Sequence, residues 1–129
     1  RDFSKDTVML QRTICYGQCP AYKVVVLGSG KVEFEGFKFS KTQGKVSVDI
    51  PLDSAKALIS EIEQSDFFLW NDEYKNQDVS DLASTFVTVV LGGNKKVINH
   101  YNGDKSAPSS LVKIEKHIDA ITNSEQWTR

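Results

Sequence analysis

The chain has 129 residues, a length typical of one domain that buries its own hydrophobic core. Hydrophobic residues make up 40% of the sequence and charged residues 26%, which is typical of a folded globular protein and excludes a disordered chain. The net charge is −1, with 16 basic and 17 acidic residues in no long run of one sign, so a nucleic-acid-binding surface is not indicated. We expect a single domain over residues 1–129 that binds no nucleic acid.

The lengths of the apolar runs and the first residue of the sequence concern two questions, whether the chain crosses a membrane and whether it is exported. Runs such as Val24 to Leu27 and Phe86 to Leu91 are far shorter than the roughly 20 residues that a membrane-spanning helix needs. We therefore expect no membrane-spanning segment. The sequence begins with Arg1 and not with methionine, which is compatible with the removal of an export signal.

Partly or fully alternating apolar residues, and for the second strand a run of β-branched residues, predict four strands before the first helix. One runs from Thr7 to Ile14, and the next two form a hairpin about Gly28–Gly30, where glycine permits the positive φ angles of a short turn. The fourth follows a turn near Gly44 and contains "KVSVDI", whose apolar residues share one face. These strands lie next to one another in the chain, so antiparallel pairing is expected.

A helix is predicted from about Asp53 to Gln64, with the Asp53 carboxylate as its N-terminal cap. Its apolar residues recur at intervals of three and four, which is typical of a helix with one buried stripe. They are Ala55, Leu58, Ile59 and Ile62. The polar stretch that follows, residues 71–84, is predicted to be a loop without regular structure.

A second hairpin and a last helix complete the chain. Its strands run from about Thr85 to Leu91 and from Lys95 to Tyr101, and Pro108 suits the first turn of the helix, with Ser106 as its cap. The predicted order is ββββαββα. We therefore predict an α+β fold in which an antiparallel sheet has two helices packed on one face.

The cysteines lie four residues apart in "CYGQCPAY", and three interpretations are open. Cys15 and Cys19 form a structural disulfide, while Gly17 lets the turn bend and Pro20 fixes its exit. Alternatively, the pair cycles between thiols and disulfide, which needs a lowered thiol pKa. In the third interpretation, both thiolates bind a soft metal such as copper, with His100 as a third ligand. The disulfide is the interpretation that we favour.

Two aromatic residues do not fit the apolar face of their strand. Phe34 shares its face with Val32, whereas Phe37 and Phe39 have the opposite parity. Unless a bulge near Gly36 shifts the register, both side chains face outward. An exposed aromatic pair would indicate a binding surface.

The cysteine motif and its surroundings resemble a bacterial family of small domains of unknown function. Its members share the signature Cys, aromatic, Gly, any residue, Cys, Pro, any residue, Tyr. In this sequence the signature consists of Cys15, Tyr16, Gly17, Cys19, Pro20 and Tyr22. The resemblance extends from about Met9 to Trp127 and includes "DFFLWNDEY" and "IEKHIDAI". It implies a location in the cell envelope, often behind a signal peptide or lipoprotein signal, and it implies no particular activity.

We interpret the chain as a non-enzymatic binding domain, secreted or of lipoprotein type, that acts outside the cytoplasm. No arrangement of serine, histidine and acid at familiar spacing marks a nucleophile. The expected partner is a protein or another envelope component, no cofactor is expected, and the domain is expected to be a monomer or a weak oligomer. The alternative hypothesis is a copper-binding or thiol-redox protein that uses Cys15, Cys19 and His100.

Overall fold

The computed structural model describes residues 3–13, 19–75, 84–101 and 104–128. The strands are β1 (Thr7–Arg12), β2 (Tyr22–Leu27), β3 (Lys31–Gly36), β4 (Gly44–Asp49), β5 (Glu73–Tyr74), β6 (Ser84–Leu91) and β7 (Asn94–Tyr101). The helices are α1 (Leu52–Gln64), α2 (Ser109–Thr122) and α3 (Glu125–Thr128), and a short 3-10 helix spans Phe67–Leu69.

One sheet contains all of these strands in the order β4-β3-β2-β1-β6-β7-β5. Strand β1 lies at its centre, antiparallel to β2 on one side and to β6 on the other. The β2–β3 and β6–β7 hairpins form as their glycine turns predict. Strand β5 pairs with β7 in the parallel direction, so the sheet is mixed.

The core lies between one face of the sheet and the helices α1 and α2. Alternation along each strand places the apolar side chains on this covered face, and the apolar stripes of both helices pack against them. The fully buried residues with the largest side chains include Phe34, Phe67, Leu10, Leu58, Ile59, Ile62, Ile98, Leu111, Ile114 and Ile118. Trp127 of α3 packs on Phe34, with ring centroids 4.8 Å apart, and so closes one side of the core.

The other face of the sheet, which we call the open face, carries charged and apolar side chains together. Lys31 and Glu33 on β3 are exposed, whereas Val25, opposite Glu33, and Met9, opposite Val25, are only partly buried. Val97 is 41% exposed. Alternation of this kind is typical of a sheet that is covered on one side only.

The predicted order ββββαββα with a wholly antiparallel sheet is wrong. The stretch predicted to be a loop contains β5, a two-residue strand whose parallel pairing with β7 makes the sheet mixed. A third helix, α3, follows α2. Both elements are too short to show a hydrophobic period in the sequence, and their positions depend on contacts with distant residues. The α+β class of the fold is confirmed.

The helix starts also differ from the predicted caps. Helix α1 begins at Leu52 after Pro51, and Asp53 lies inside its first turn, where its charge complements the helix dipole without a capping hydrogen bond. Helix α2 begins after Pro108. The N–H of Ser106 donates to the side chain of Asp104, so Ser106 belongs to a local turn. Within the described ranges, no helix is long and apolar enough to cross a membrane.

Candidate functional site

Polar side chains form a row across the covered face of the sheet, at the end where β1 leads into the cysteine motif. The register pairs Arg12 with Tyr22 on one side and with Thr85 on the other, and it pairs Thr85 with His100. We call these four residues the polar row. Because they share the face that α2 covers, their polar atoms need partners inside the protein.

Helix α2 supplies those partners from two residues one turn apart. Asp119 accepts hydrogen bonds from Arg12 Nη2 at 2.8 Å, from the Tyr22 hydroxyl at 2.8 Å and from Ser124 Oγ at 2.5 Å. Arg12 also donates through Nε to the Tyr22 hydroxyl at 3.0 Å and through Nη1 to Thr85 Oγ1 at 2.9 Å. One carboxylate therefore binds both Arg12, which precedes Cys15 in the chain, and Tyr22, which follows Cys19.

The charges in this part of the polar row are balanced. Burial lowers the pKa of Arg12, but its interactions with Tyr22 and with the carboxylate of Asp119 raise that pKa by more, so the guanidinium stays charged. Burial, followed by the negative charge of Asp119, raises the pKa of Tyr22 to about 12. Tyr22 therefore remains a neutral hydrogen-bond donor at physiological pH, a role that suits a structural contact.

The second carboxylate of α2 binds the histidine of the polar row. Glu115 Oε2 lies 2.7 Å from His100 Nδ1, and both residues are buried. The hydrogen bond to Glu115 raises the pKa of His100 above its ordinary value of 6.5, although burial opposes the shift. The contact with Glu115 therefore favours the protonated form of His100, which lies between β7 and α2.

The structure separates His100 from Cys19. Three strand spacings lie between β2, which follows Cys19, and β7, which carries His100. At about 4.8 Å per spacing, this distance is roughly 14 Å. Among the described residues, no group of three histidine, cysteine or acidic side chains could hold a metal ion. The copper alternative stays a prediction.

The signature residues fall partly outside the described residues. Cys15, Tyr16 and Gly17 lie in the gap between residues 13 and 19. Cys19 and Pro20 are half-buried, and Tyr22 is buried in the polar row. The hydroxyl of Tyr22 thus gives the last position of the signature a structural role, because it ties β2 to Asp119 of α2.

Next to the cysteine motif, residues 37–43 form a loop between β3 and β4 that we call the aromatic loop. Phe37 is 39% exposed and Phe39 is 48% exposed. The N–H of Phe37 donates to the carbonyl of Ala21 at 2.9 Å, which places the loop beside the exit of the cysteine motif. The two predicted binding residues therefore lie on the surface at that end of the sheet.

The inner side of the aromatic loop is fixed to the rest of the domain. Ser40 Oγ and the N–H of Thr42 both donate to the carbonyl of Trp127, at 2.9 Å and 2.7 Å. A Cβ atom on Gly36 would lie 1.9 Å from the carbonyl oxygen of Thr42, so only glycine allows this close approach. The backbone of the loop is thus hydrogen-bonded to α3, while the two aromatic side chains stay exposed.

The sequence interpretation missed Arg12, Thr85, Glu115 and Asp119 as site residues. A signal for Arg12 exists, because it has the same parity as the buried Val8 and Leu10 and so occupies an apolar-face position. Glu115 lies within the apolar stripe of α2, and Asp119 follows one turn later. A charged residue on a buried face indicates that a partner of opposite charge or a hydrogen-bond network lies opposite.

Comparison with known proteins places the chain in a family. No curated protein matches the sequence. One family model matches residues 6–122, which include every strand and both long helices. The predicted membership of a family of unknown function is thus confirmed, and the chain belongs to the family described as "Domain of unknown function (DUF6438)".

Proposed function

We propose that the chain is a non-enzymatic binding domain of the extracytoplasmic space, and that its aromatic loop captures an acidic segment of a protein partner. The observation that carries the proposal is the exposure of Phe37 and Phe39 on a loop with a fixed backbone. Large apolar side chains that stay in water contribute little to folding. They are typical of residues that become buried against a partner.

The backbone of Phe39 supports this interpretation. Its φ angle is +59°, in the left-handed region, where an ordinary residue is strained by about 1 kcal/mol and glycine is not. The side chain is not part of the hydrophobic core. Neither packing nor backbone geometry therefore accounts for a phenylalanine at this position, whereas a contact with a partner would.

The charge around the two aromatic residues indicates the chemistry of the partner. Lys38 and Lys41 are exposed in the aromatic loop. The stretch from residue 36 to residue 48 contains no aspartate or glutamate. A surface of lysines and aromatic rings complements a segment that carries carboxylates next to apolar side chains.

The test is site-specific photo-crosslinking followed by measurement of affinity. A photo-reactive amino acid at Phe37 is expected to crosslink one protein in the cells that make the chain, whereas the same amino acid at Leu69 is expected not to. Leu69 is the matched control because it is 83% exposed and lies on the 3-10 helix. The crosslinked protein is then purified, and its dissociation constant for the domain is measured by calorimetry.

We expect Phe39→Gly to weaken this binding at least about tenfold, because an aromatic anchor contributes roughly 1–2 kcal/mol or more at an interface. The same change should leave the melting temperature unchanged or raise it, since glycine relieves the strain at φ +59°. Leu69→Ala should alter neither quantity. Equal affinity of the wild type and Phe39→Gly for the purified partner would contradict the proposal.

The extracytoplasmic location and a Cys15–Cys19 disulfide belong to the same proposal. The sequence contains two cysteines, four residues apart, an even number that a single bridge would use. Disulfides persist in oxidising compartments and are rare in the cytosol. A bridge across this turn would hold together the two strand ends that Arg12 and Tyr22 also join through Asp119.

Alkylation of the native protein tests the bridge. We expect no thiol label before reduction and two labels after it, as read from the intact mass of protein taken from its own compartment. The double variant Cys15→Ala and Cys19→Ala should lose about 2 kcal/mol of unfolding free energy, because the short loop closes little chain entropy. Two labels without reductant, or an unchanged stability of the double variant, would count against the disulfide.

A further inference from the structure

Strand β4 leaves one complete edge of the sheet unpaired within the described structure. It ends the strand order, pairs only with β3 and is six residues long, with neither a proline nor a bulge in it. At the opposite end of the sheet, β5 has two residues. A long, regular edge strand offers a template for another strand, which proteins normally block.

The direction of the backbone groups on β4 follows from the hydrogen bonds at its end. The N–H of Ile50 donates to the carbonyl of Gly30 at 2.8 Å, so Ile50 faces β3. In an antiparallel pair, successive residues point their N–H and C=O groups to alternate sides. Val46 and Val48 therefore also face β3, while Lys45, Ser47 and Asp49 direct their backbone groups away from the sheet.

No other described segment uses these outward groups. None of the backbone hydrogen bonds that link loops and turns in the described ranges involves Lys45, Ser47 or Asp49. All three residues are exposed, and their side chains lie on the open face. The edge thus presents alternating donors and acceptors from three residues in an extended conformation.

We propose that β4 pairs with β4 of a second copy of this chain, antiparallel and centred on Ser47. The segment "KVSVD" is self-complementary in this register. Ser47 faces Ser47 of the second chain, Lys45 faces Asp49 of that chain, and Val46 faces its Val48. The twofold axis makes every contact occur twice, as a symmetric dimer requires. The two sheets become one continuous sheet.

The charges on the open face favour this arrangement. Within one chain, Lys45 lies opposite Glu35 and Asp49 lies opposite Lys31. Lys23 in turn approaches Glu35 to 3.7 Å. Pairing of Lys45 with Asp49 of the second copy continues this alternation of sign across the new strand boundary, and opposite charges on facing positions stabilise strand pairs.

Other alignments of the two edges lose these contacts. Parallel pairing would place the two Lys45 side chains next to each other and the two Asp49 side chains next to each other, so like charges would meet. A shift of two residues in one direction would set Asp49 opposite Gln43. A shift in the other direction would set Lys45 opposite Pro51, which has no N–H to donate. The register is therefore specified by the sequence of the edge itself.

The side chains of β4 on the covered face would bury additional apolar surface in the dimer. Val46 and Val48 are partly buried and pack against the core cluster. Next to the same residues of a second copy, they would form a small apolar patch that continues the core layer. An interface of one strand pair is at the small end of protein interfaces, so we expect a reversible dimer that forms with rising protein concentration.

Charge reversal tests the pairing. Lys45→Asp leaves two aspartates facing each other at both ends of the interface, and Asp49→Lys leaves two lysines. We expect each single variant to weaken the dimer roughly tenfold, measured by sedimentation equilibrium, because two favourable pairs become repulsive. Mixing the two variants should restore a heterodimer, since both aspartates of the Lys45→Asp chain then face lysines of the Asp49→Lys chain. The double variant in one chain should also dimerise like the wild type.

Amide exchange shows which strand forms the interface. As the concentration rises, the amide protons of Lys45, Ser47 and Asp49 should gain protection, while those of Val46 and Val48 are already protected in the monomer. Ser47→Pro removes the central outward N–H and should abolish the dimer, whereas Ser47→Ala should not. A wild type that stays monomeric at all concentrations, or single charge variants that dimerise as well as the wild type, would overturn the proposal. Circular dichroism confirms that each variant is folded.

Discussion

Replacement of Asp119 with alanine is expected to lower the free energy of unfolding by about 3 kcal/mol. The change removes the acceptor for Arg12, Tyr22 and Ser124 at once. It leaves the guanidinium of Arg12 without its counterion, on a side chain that is only 25% exposed between the sheet and α2. An uncompensated charge in such a place costs more than the loss of a neutral hydrogen bond. Urea unfolding at neutral pH measures the effect.

Two further variants separate this network from a general effect on α2. Lys116→Ala changes an exposed residue on the same helix and should alter the stability by less than about 0.5 kcal/mol. The double variant Arg12→Met with Asp119→Leu should recover most of the loss, because it removes both charges together. If Asp119→Ala unfolds at the same urea concentration as the wild type, the hydrogen bonds seen at Asp119 do not contribute to stability.

Replacement of Glu115 with alanine is expected to cost about 3 kcal/mol in acidic solution and less in alkaline solution. The pKa of His100 is raised in the folded state, chiefly by the hydrogen bond to Glu115. A raised pKa adds stability that is fully present below the ordinary pKa of 6.5 and is lost as the pH rises through the folded pKa. Glu115→Ala removes this contribution, so the difference from the wild type should shrink with rising pH.

Urea unfolding at about pH 5 and about pH 8, with an NMR titration of the His100 ring, tests this expectation. Glu115→Gln is the conservative control. Its side-chain oxygen can still accept from the N–H of a neutral His100, so it should resemble the wild type more closely at the higher pH. A wild-type His100 that titrates at or below 6.5 would show that the contact of 2.7 Å with Glu115 does not persist in solution.

The long elements were predictable because each carries a repeating signal. Strand β3 alternates apolar and charged residues, β2 and β6 are rich in β-branched residues next to glycine turns, and α1 and α2 have apolar stripes at helical spacing. The prediction failed for β5 and α3, which contain two and four residues. An element of that length is too short to show a hydrophobic period in the sequence. Its regular backbone conformation depends on contacts with residues that are distant in the chain. The prediction of a wholly antiparallel sheet was wrong for that reason.

The candidate site was less predictable than the fold. The sequence drew attention to the cysteine motif and to Phe37 and Phe39, and the structure places Phe37 beside Ala21, two residues after Cys19, through a hydrogen bond. It did not reveal that Asp119 contacts Arg12 and Tyr22, since 107 residues separate Arg12 from Asp119 along the chain. Nor did it show that His100 binds Glu115 of α2.

By itself, the sequence determined the α+β class, the position of the two hairpins, the faces that the helices bury and the membership of a family. These properties depend on local periodicity, turn residues and motifs, all of which can be identified in the sequence. Only the tertiary structure decided the strand order, the partner of each buried charge and the edge that remains unpaired. Those depend on which distant segments meet, because a hydrogen bond or an ion pair forms only where the fold brings two groups within about 3 Å.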